Sequence, residues 1–217
     1  MSTPRRTFPG PPSPGHALLL TAHPDPESLN TALGLAWADE ARAAGAQVEH
    51  LDVHALDFDP LLRVAFRSDQ PLEPDLVRVR DAIARAAHIT IAAPVWWGSL
   101  PAGLKGLIDR VLLPGWAFSY DENHWPVQGL VGRSGRVMLT MDAPVWYDTV
   151  RYFASSRRQL TTATLAFCGI KPVASRAFGS VGTSTAQQRE RMFVTARADG
   201  RTDGRRLASA RPQLATA

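Results

Sequence analysis

The segment Ile89-Thr90-Ile91-Ala92-Ala93-Pro94-Val95 restricts the fold of this chain most. It carries no charge and does not alternate polar with apolar residues. A strand with one wet face alternates, so a run of this kind is a strand buried on both faces, as in parallel sheets covered by helices on each side. Parallel neighbours need crossover connections of about a dozen residues or more. Helices should therefore flank this strand in sequence, and the pattern around it supplies them.

Residues 16–21 read as a first buried strand. Ser28 can N-cap a helix running to about Ala44, with Leu29, Ala32, Leu33, Ala36 and Trp37 on one side and Gly45 as its stop. Trp37 is assigned to the core. Gln47–Val53 alternates as a second strand, and 54–63 is a loop. Pro74 opens a helix toward His88, with Leu76, Val77, Val79 and Ile83 at helical spacing. After the apolar third strand, Pro101 opens a helix carrying Leu104, Leu107, Ile108 and Val111. Residues 115–135 read as a long loop containing Trp116, Phe118, Tyr120 and Trp125. A fourth strand at 135–141, a helix over 148–167, a fifth strand at 171–181 and a last helix capped by Thr183 or Ser184 complete the pattern. Repeated strand–helix alternation predicts an α/β, doubly wound five-stranded parallel sheet with helices on both faces. The expected division is a Pro-rich disordered tail at 1–15, one domain at 16–200 and a flexible basic tail at 201–217.

Ligands in such sheets bind beyond the carboxyl ends of the strands, which directs attention to three loops. The first is His23-Pro24-Asp25-Pro26-Glu27-Ser28-Leu29-Asn30. A helix N-terminus offers unpaired N–H groups and the positive end of a dipole, so it attracts phosphate. Ser28, Asn30 and His23 can add side-chain donors. The alternative is a plain strand-to-helix turn. No G-x-G-x-x-G is present, against a dinucleotide fingerprint of the Rossmann type. The second loop, Pro94-Val95-Trp96-Trp97-Gly98-Ser99, sets two tryptophans at the end of the most buried strand. They serve either as a wall for a flat aromatic ligand or, in part, as core. The third is Thr140-Met141-Asp142-Ala143-Pro144-Val145-Trp146-Tyr147, where Asp142 could receive a proton or cap the next helix and the two aromatics could wall a pocket or pack.

Three stretches together, residues 18–30, 93–120 and 165–173, resemble the flavodoxin-like NAD(P)H:quinone oxidoreductase family, the DT-diaphorase relatives. The central block is the specific one: Trp-Trp, then Pro-x-x-Leu-Lys-Gly, Asp-Arg-Val and Phe-x-Tyr. The resemblance runs from about residue 16 to 195. It implies sheet order 2-1-3-4-5. It implies a flavin phosphate site at His23, Ser28, Leu29 and Asn30. The flavin ring is implied along Pro94, Val95, Trp96, Trp97 and Gly98, completed by Thr140, Met141, Asp142 and Ala143. Better-known members carry Thr-Thr-Gly-Gly where this chain has Thr140–Ala143, and only Tyr147 lies near their tyrosine and histidine pair. Catalytic contact is assigned to Tyr147 and Trp97.

The function expected is hydride transfer from NADH or NADPH through bound flavin to a quinone or similar flat acceptor, by a ping-pong cycle on one face. FMN is favoured by chain length, and FAD is the alternative. A homodimer is implied. The alternatives are an azo or nitro reductase, and a flavin-binding ancillary subunit of a transporter contacted through the basic C-terminal tail.

Composition closes several other routes. The net charge is +4, with pI near 9.8, yet the positive charge gathers at the ends and residues 7–188 are net −2 by count. That distribution argues against nucleic acid as a partner. A single cysteine, Cys168, excludes an internal disulfide and fits a cytoplasmic setting; it reads as a buried core thiol. No stretch approaches a membrane span. His50 and His54 fall on a strand and its following loop, not on a helix face, so no metal site is expected.

Overall fold

A computed structural model describes residues 6–65 and 70–210. The main sheet has five strands, β1 (His16–Thr21), β2 (Gln47–Asp52), β3 (His88–Pro94), β6 (Ser134–Thr140) and β7 (Val173–Phe178), in the order β2-β1-β3-β6-β7 and all parallel. With the short antiparallel hairpin of β4 (Phe118–Tyr120) and β5 (Pro126–Gln128) set aside, this is the flavodoxin-like 2-1-3-4-5 order. The helices are α1 (Leu29–Ala43), α2 (Pro74–Arg85), α3 (Ala102–Val111), α4 (Val145–Arg151), α5 (Ser155–Arg158) and α6 (Ala186–Ser209).

Period-two alternation in the strands sorts the core into two layers. Leu18, Leu20, Ile89, Ile91, Val137 and Leu139 face one side, where they pack with Leu76 and Val79 of α2 and Leu104 and Leu107 of α3. Ala17, Leu19, Ala92 and Met138 face the other, against Leu33 and Trp37 of α1 and Leu207 of α6. All seven residues of β3 are buried, as its unbroken apolar run requires.

Several expectations are corrected. The chain does not fray after Gly200: α6 runs to Ser209 and buries Asp203, Gly204 and Leu207. It lies so close to α1 that a Cβ on Gly200 would sit 2.3 Å from the Trp37 carbonyl oxygen. The cap of α6 is Thr185, neither Thr183 nor Ser184, in a reciprocal capping box with Gln188. Residues 6–15 are not free of the body. Thr7 N–H donates to Gly115 O (2.7 Å), Ser13 N–H to Arg85 O (2.9 Å), and buried Arg133 donates to Gly10 O (3.0 Å) as well as to Ile83 O and Ala84 O at the end of α2. Residues 1–5 and 211–217 of the two expected tails lie outside the described residues. The helix expected over 148–167 is broken at Phe153 and Ala154, both left-handed (φ 53° and 50°), and continues from α5 as wide π-helical turns over Gln159–Ala166.

A buried ionic cluster fastens α6 to the sheet. The Asp203 carboxylate accepts from Trp37 Nε1 (3.0 Å) and from Arg136 Nη2 (3.1 Å), and lies 3.5 Å from His88 Nε2. Asp199 bridges Arg136 (2.9 Å) and Arg176 (2.7 Å). Arg206 donates toward His88 Nδ1 and Ser134 Oγ, both 3.0 Å away. Since a guanidinium only donates, Nδ1 is the accepting nitrogen and the His88 proton sits on Nε2, facing Asp203. Burial pushes His88 below the usual histidine range; Asp203 opposes that, and Arg206 and Arg136 add to it.

Candidate functional site

The parallel order sets the carboxyl ends of β1, β3 and β6 side by side, so the three loops following them share one end of the sheet.

In the first loop, Asp25 N–H donates to His23 Nδ1 (3.1 Å), and Glu27 N–H donates to Asp25 Oδ1 (2.9 Å). Ser28 is the N-cap of α1, accepting from Thr31 N–H at 3.2 Å. Among the described residues, the Leu29 and Asn30 N–H groups have no acceptor, as expected for the first turn of a helix. Asn30 is 3% exposed, and its Nδ2 lies 3.1 Å from Thr140 Oγ1, which ties the first loop to the third. Asn30 Oδ1 is buried without a partner among the described residues. Turned over, the amide would accept from the Thr140 hydroxyl and present its NH2 as the free group, a donor suited to an anion. His23 stands edge-on to Trp96, ring centroids 5.7 Å apart.

The second loop is a tight turn. Trp96 and Ser99 exchange both backbone bonds (3.0 and 2.9 Å), with Trp97 and Gly98 between them at φ 52° and 68°. Two successive left-handed residues define a type I′ geometry. Glycine adopts it freely; a tryptophan there is held under strain of about 1–2 kcal/mol. The Trp97 side chain is fully exposed and Trp96 is 41% exposed, so neither belongs to the core. Pro94 ends β3 and is buried, and Val95 N–H donates to Thr140 O (2.8 Å). Ser155 Oγ donates to Gly98 O (2.9 Å), bracing the turn from α5. The Trp97 and Gly98 N–H groups have no acceptor among the described residues.

In the third loop Met141 is buried and bonds both ways with the end of β7 and the chain after it: its N–H donates to Phe178 O (2.9 Å), and its carbonyl accepts from Val181 N–H (3.2 Å). Asp142 does not cap α4, whose N-cap is Pro144; its Oδ1 accepts from Gly182 N–H at 3.0 Å. Ala143 O accepts from Ser180 N–H (3.2 Å). The Asp142 and Ala143 N–H groups are left without acceptors among the described residues. Tyr147 packs edge-on against Trp146 and Tyr152, and Trp146 is two-thirds exposed.

The arrangement therefore offers backbone donors from three loops, a buried amide and exposed indole faces at one end of the sheet. A depression of about 420 Å³ lined by His16, Arg42 and Gln47 lies at the amino ends of β1 and β2, remote from these loops. Ser155, Ser180 and Gly182 were not singled out by sequence; the only available signal was the Gly-Ser-Val-Gly run after the fifth strand. Cys168 is buried and its thiol is pushed up to about 12 by burial, so it is no nucleophile. His50 Nε2 lies 2.9 Å from Thr21 Oγ1. No helix among the described residues is long and apolar enough to cross a membrane.

Comparison with known proteins agrees with this architecture. Residues 15–199 match the family of flavodoxin-like fold. An uncharacterised NAD(P)H oxidoreductase of Haemophilus influenzae is 27% identical over 186 residues, covering 82% of this chain and 91% of that protein. A mouse ribosyldihydronicotinamide dehydrogenase (quinone) is 26% identical over 209 residues, covering 82% and 87%. The solved NAD(P)H:quinone oxidoreductase of Methanothermobacter marburgensis superposes with a TM-score of 0.75 at 25% identity, over 88% of this chain and 96% of that one.

Proposed function

Because this chain belongs to the flavodoxin-like fold family, we propose that it is a flavin-dependent oxidoreductase that takes hydride from NADH or NADPH and delivers two electrons to a quinone or similar flat acceptor. The observation that carries the reading is the convergence of unpartnered backbone N–H groups from three loops: Leu29 and Asn30, Trp97 and Gly98, Asp142 and Ala143. The quinone-oxidoreductase names of the relatives support the same chemistry.

FMN is the favoured cofactor, with FAD the alternative; bound there, it would accept hydride and pass on electron pairs. The residues present fit it. The first turn of α1, with Ser28, Leu29, the buried Asn30 amide and His23 beside it, is the anion-holding part. Pro94, Val95, Trp96, Trp97 and Gly98 form one wall, and Thr140, Met141, Asp142 and Ala143 the adjoining edge. N–H groups of Gly98 and Ala143 are placed to meet negative charge that develops on reduction. Trp97, fully exposed, offers its face to the nicotinamide and then to the acceptor, and Tyr147 with Trp146 borders the same opening. One open face serves both substrates in turn, which is the condition for a ping-pong cycle.

The exposed Trp146, Val150, Tyr152 and Phe153 on α4 and the turn after it form an apolar surface suited to a second copy of the chain, and a cytoplasmic homodimer is the assembly proposed. The ancillary-subunit alternative rests on contact through the basic C-terminal segment, of which residues 201–209 are part of α6. The test is steady-state oxidation of NADH or NADPH by flavin-loaded protein with a quinone present. Parallel-line kinetics are expected, and flavin-loaded protein without turnover on either nucleotide overturns the assignment.

A further inference from the structure

β6 leaves the sheet at Thr140 and turns toward α4 with no glycine in Met141-Asp142-Ala143. The space needed for that turn is provided from the neighbouring strand instead. A Cβ on Gly179 would lie 2.7 Å from both Ala143 O and Val145 N, and a Cβ on Gly182 would lie 2.9 Å from Asp142 Oδ1. Ser180, between these glycines, is left-handed (φ 54°), and its N–H donates to Ala143 O. The N–H of Met141 is bound to Phe178, the last residue of β7, and the carbonyls of Met141 and Ala143 to the chain just after it. Among the described residues the Asp142 and Ala143 N–H groups have no acceptor and the Asp142 carbonyl has no donor, while the Asp142 side chain accepts from Gly182 N–H at 3.0 Å.

We propose that Asp142 is a positioning residue for the flavin: its Oδ1 bond to Gly182 N–H holds the turn so that the Asp142 and Ala143 N–H groups are fixed as donors to the polar edge of the ring. This rests on the flavin reading above. The acceptor oxygen is what matters, because the bond to a backbone N–H can be made by a carboxylate or by an amide. The charge itself works against an anionic reduced ring, so removing the charge while keeping the oxygen leaves binding intact and shifts the reduction potential upward. Loss of the oxygen as well frees the turn and weakens binding, and because the donors are then loose the potential falls below that of Asp142→Asn, which has lost the same charge.

The experiment compares wild type, Asp142→Ala, Asp142→Asn and Gly182→Ala. FMN is titrated into flavin-free protein by fluorescence quenching. Amide exchange of the segment 138–145 is measured on the same flavin-free protein, and reduction potentials on the loaded one. Asp142→Ala and Gly182→Ala are expected to bind FMN about tenfold more weakly, the loss of one ordered, charge-assisted bond. Exchange in the segment should be faster by a similar factor, and Asp142→Asn should stay within about threefold of wild type. FMN binding by Asp142→Ala equal to wild type, or unchanged exchange in that variant, overturns the positioning role and leaves the function standing. Asp142→Asn as weak as Asp142→Ala overturns it too. Wild-type protein that takes up neither FMN nor FAD overturns the function itself, and this assignment with it.

Discussion

Replacing Asp203 with alanine should cost this protein a large part of its stability, although the residue lies in a segment that reads as a basic tail. Asp203 is 4% exposed and receives the indole N–H of Trp37 and the guanidinium of Arg136, itself 5% exposed. Alanine would leave Arg136 with Asp199 as its remaining carboxylate, at 2.9 Å, and the Trp37 N–H with no acceptor. Removing one partner of a buried ion pair costs about 3–5 kcal/mol. The Asp199 contact offsets part of this, so about 3 kcal/mol is expected, against a total of about 5–15 kcal/mol for a typical domain. With a urea m-value of about 2 kcal/mol/M, the midpoint should fall by about 1.5 M. Urea unfolding followed by far-UV circular dichroism measures it. The double variant Arg136→Met with Asp203→Leu should lose less than the two single losses combined, since neither charge is then left alone. A loss below about 1 kcal/mol in Asp203→Ala would mean that the second half of α6 is not anchored to the sheet, and the account of the cluster would be wrong.

Stability should decline as pH falls from about 7 toward 5. His88 is held neutral by burial, with Arg206 and Arg136 opposing its charge and Asp203 favouring it, while the unfolded chain takes up that proton near pH 6.5. The unfolded state thus binds more protons in this window, and the loss is complete once pH passes below the folded value. A second loss follows below about pH 4, because Asp203, which burial alone would raise, is brought well below the carboxylate range by His88 and Arg136. Equilibrium unfolding across pH checks both, and a flat profile from 7 to 5 contradicts the buried neutral histidine. Trp97→Ala should leave the melting midpoint within about 2 °C, since a fully exposed side chain contributes little, while kcat/KM for the acceptor falls about tenfold or more. An unchanged kcat/KM would remove Trp97 from the site. Cys168 should resist a thiol reagent in native protein at pH 8 and react at once in denaturant; fast labelling of native protein would contradict its burial.

The parts of the fold legible in sequence are those written in apolar residues. Residues 89–95 announce a strand buried on both faces, and Leu18, Leu20, Ile89 and Ile91 do line one core layer. What could not be read depends on distant partners. Asp203 falls in the stretch that reads as a solvated tail, because Arg136, which accommodates it together with Asp199, lies far off on β6. The bond between Asn30 and Thr140 spans 110 positions and leaves no local trace. Left-handed backbone at Phe153 and Ala154 has no residue signal either, since neither is glycine. The capping box was only half open to reading: Thr183, followed three residues on by Ala186, lacks the glutamine, but Ser184 with Gln187 and Thr185 with Gln188 share the spacing, and the structure uses the second pair. In the candidate site, the tryptophan pair marks the carboxyl end of β3, beside the ends of β1 and β6. The Thr140–Ala143 segment, without the glycines its resemblance would have supplied, gave no hint that Gly179 and Gly182 make the room for it.

The central claim is that the unpartnered N–H groups of three strand-end loops hold a flavin. The most direct measurement is the absorption spectrum of purified protein after incubation with excess FMN or FAD and removal of free ligand, followed by heat release and identification of the chromophore. Flavin bands and about one FMN, or one FAD, released per chain is the predicted result. Protein that stays colourless with both flavins contradicts the claim, and the oxidoreductase reading falls with it.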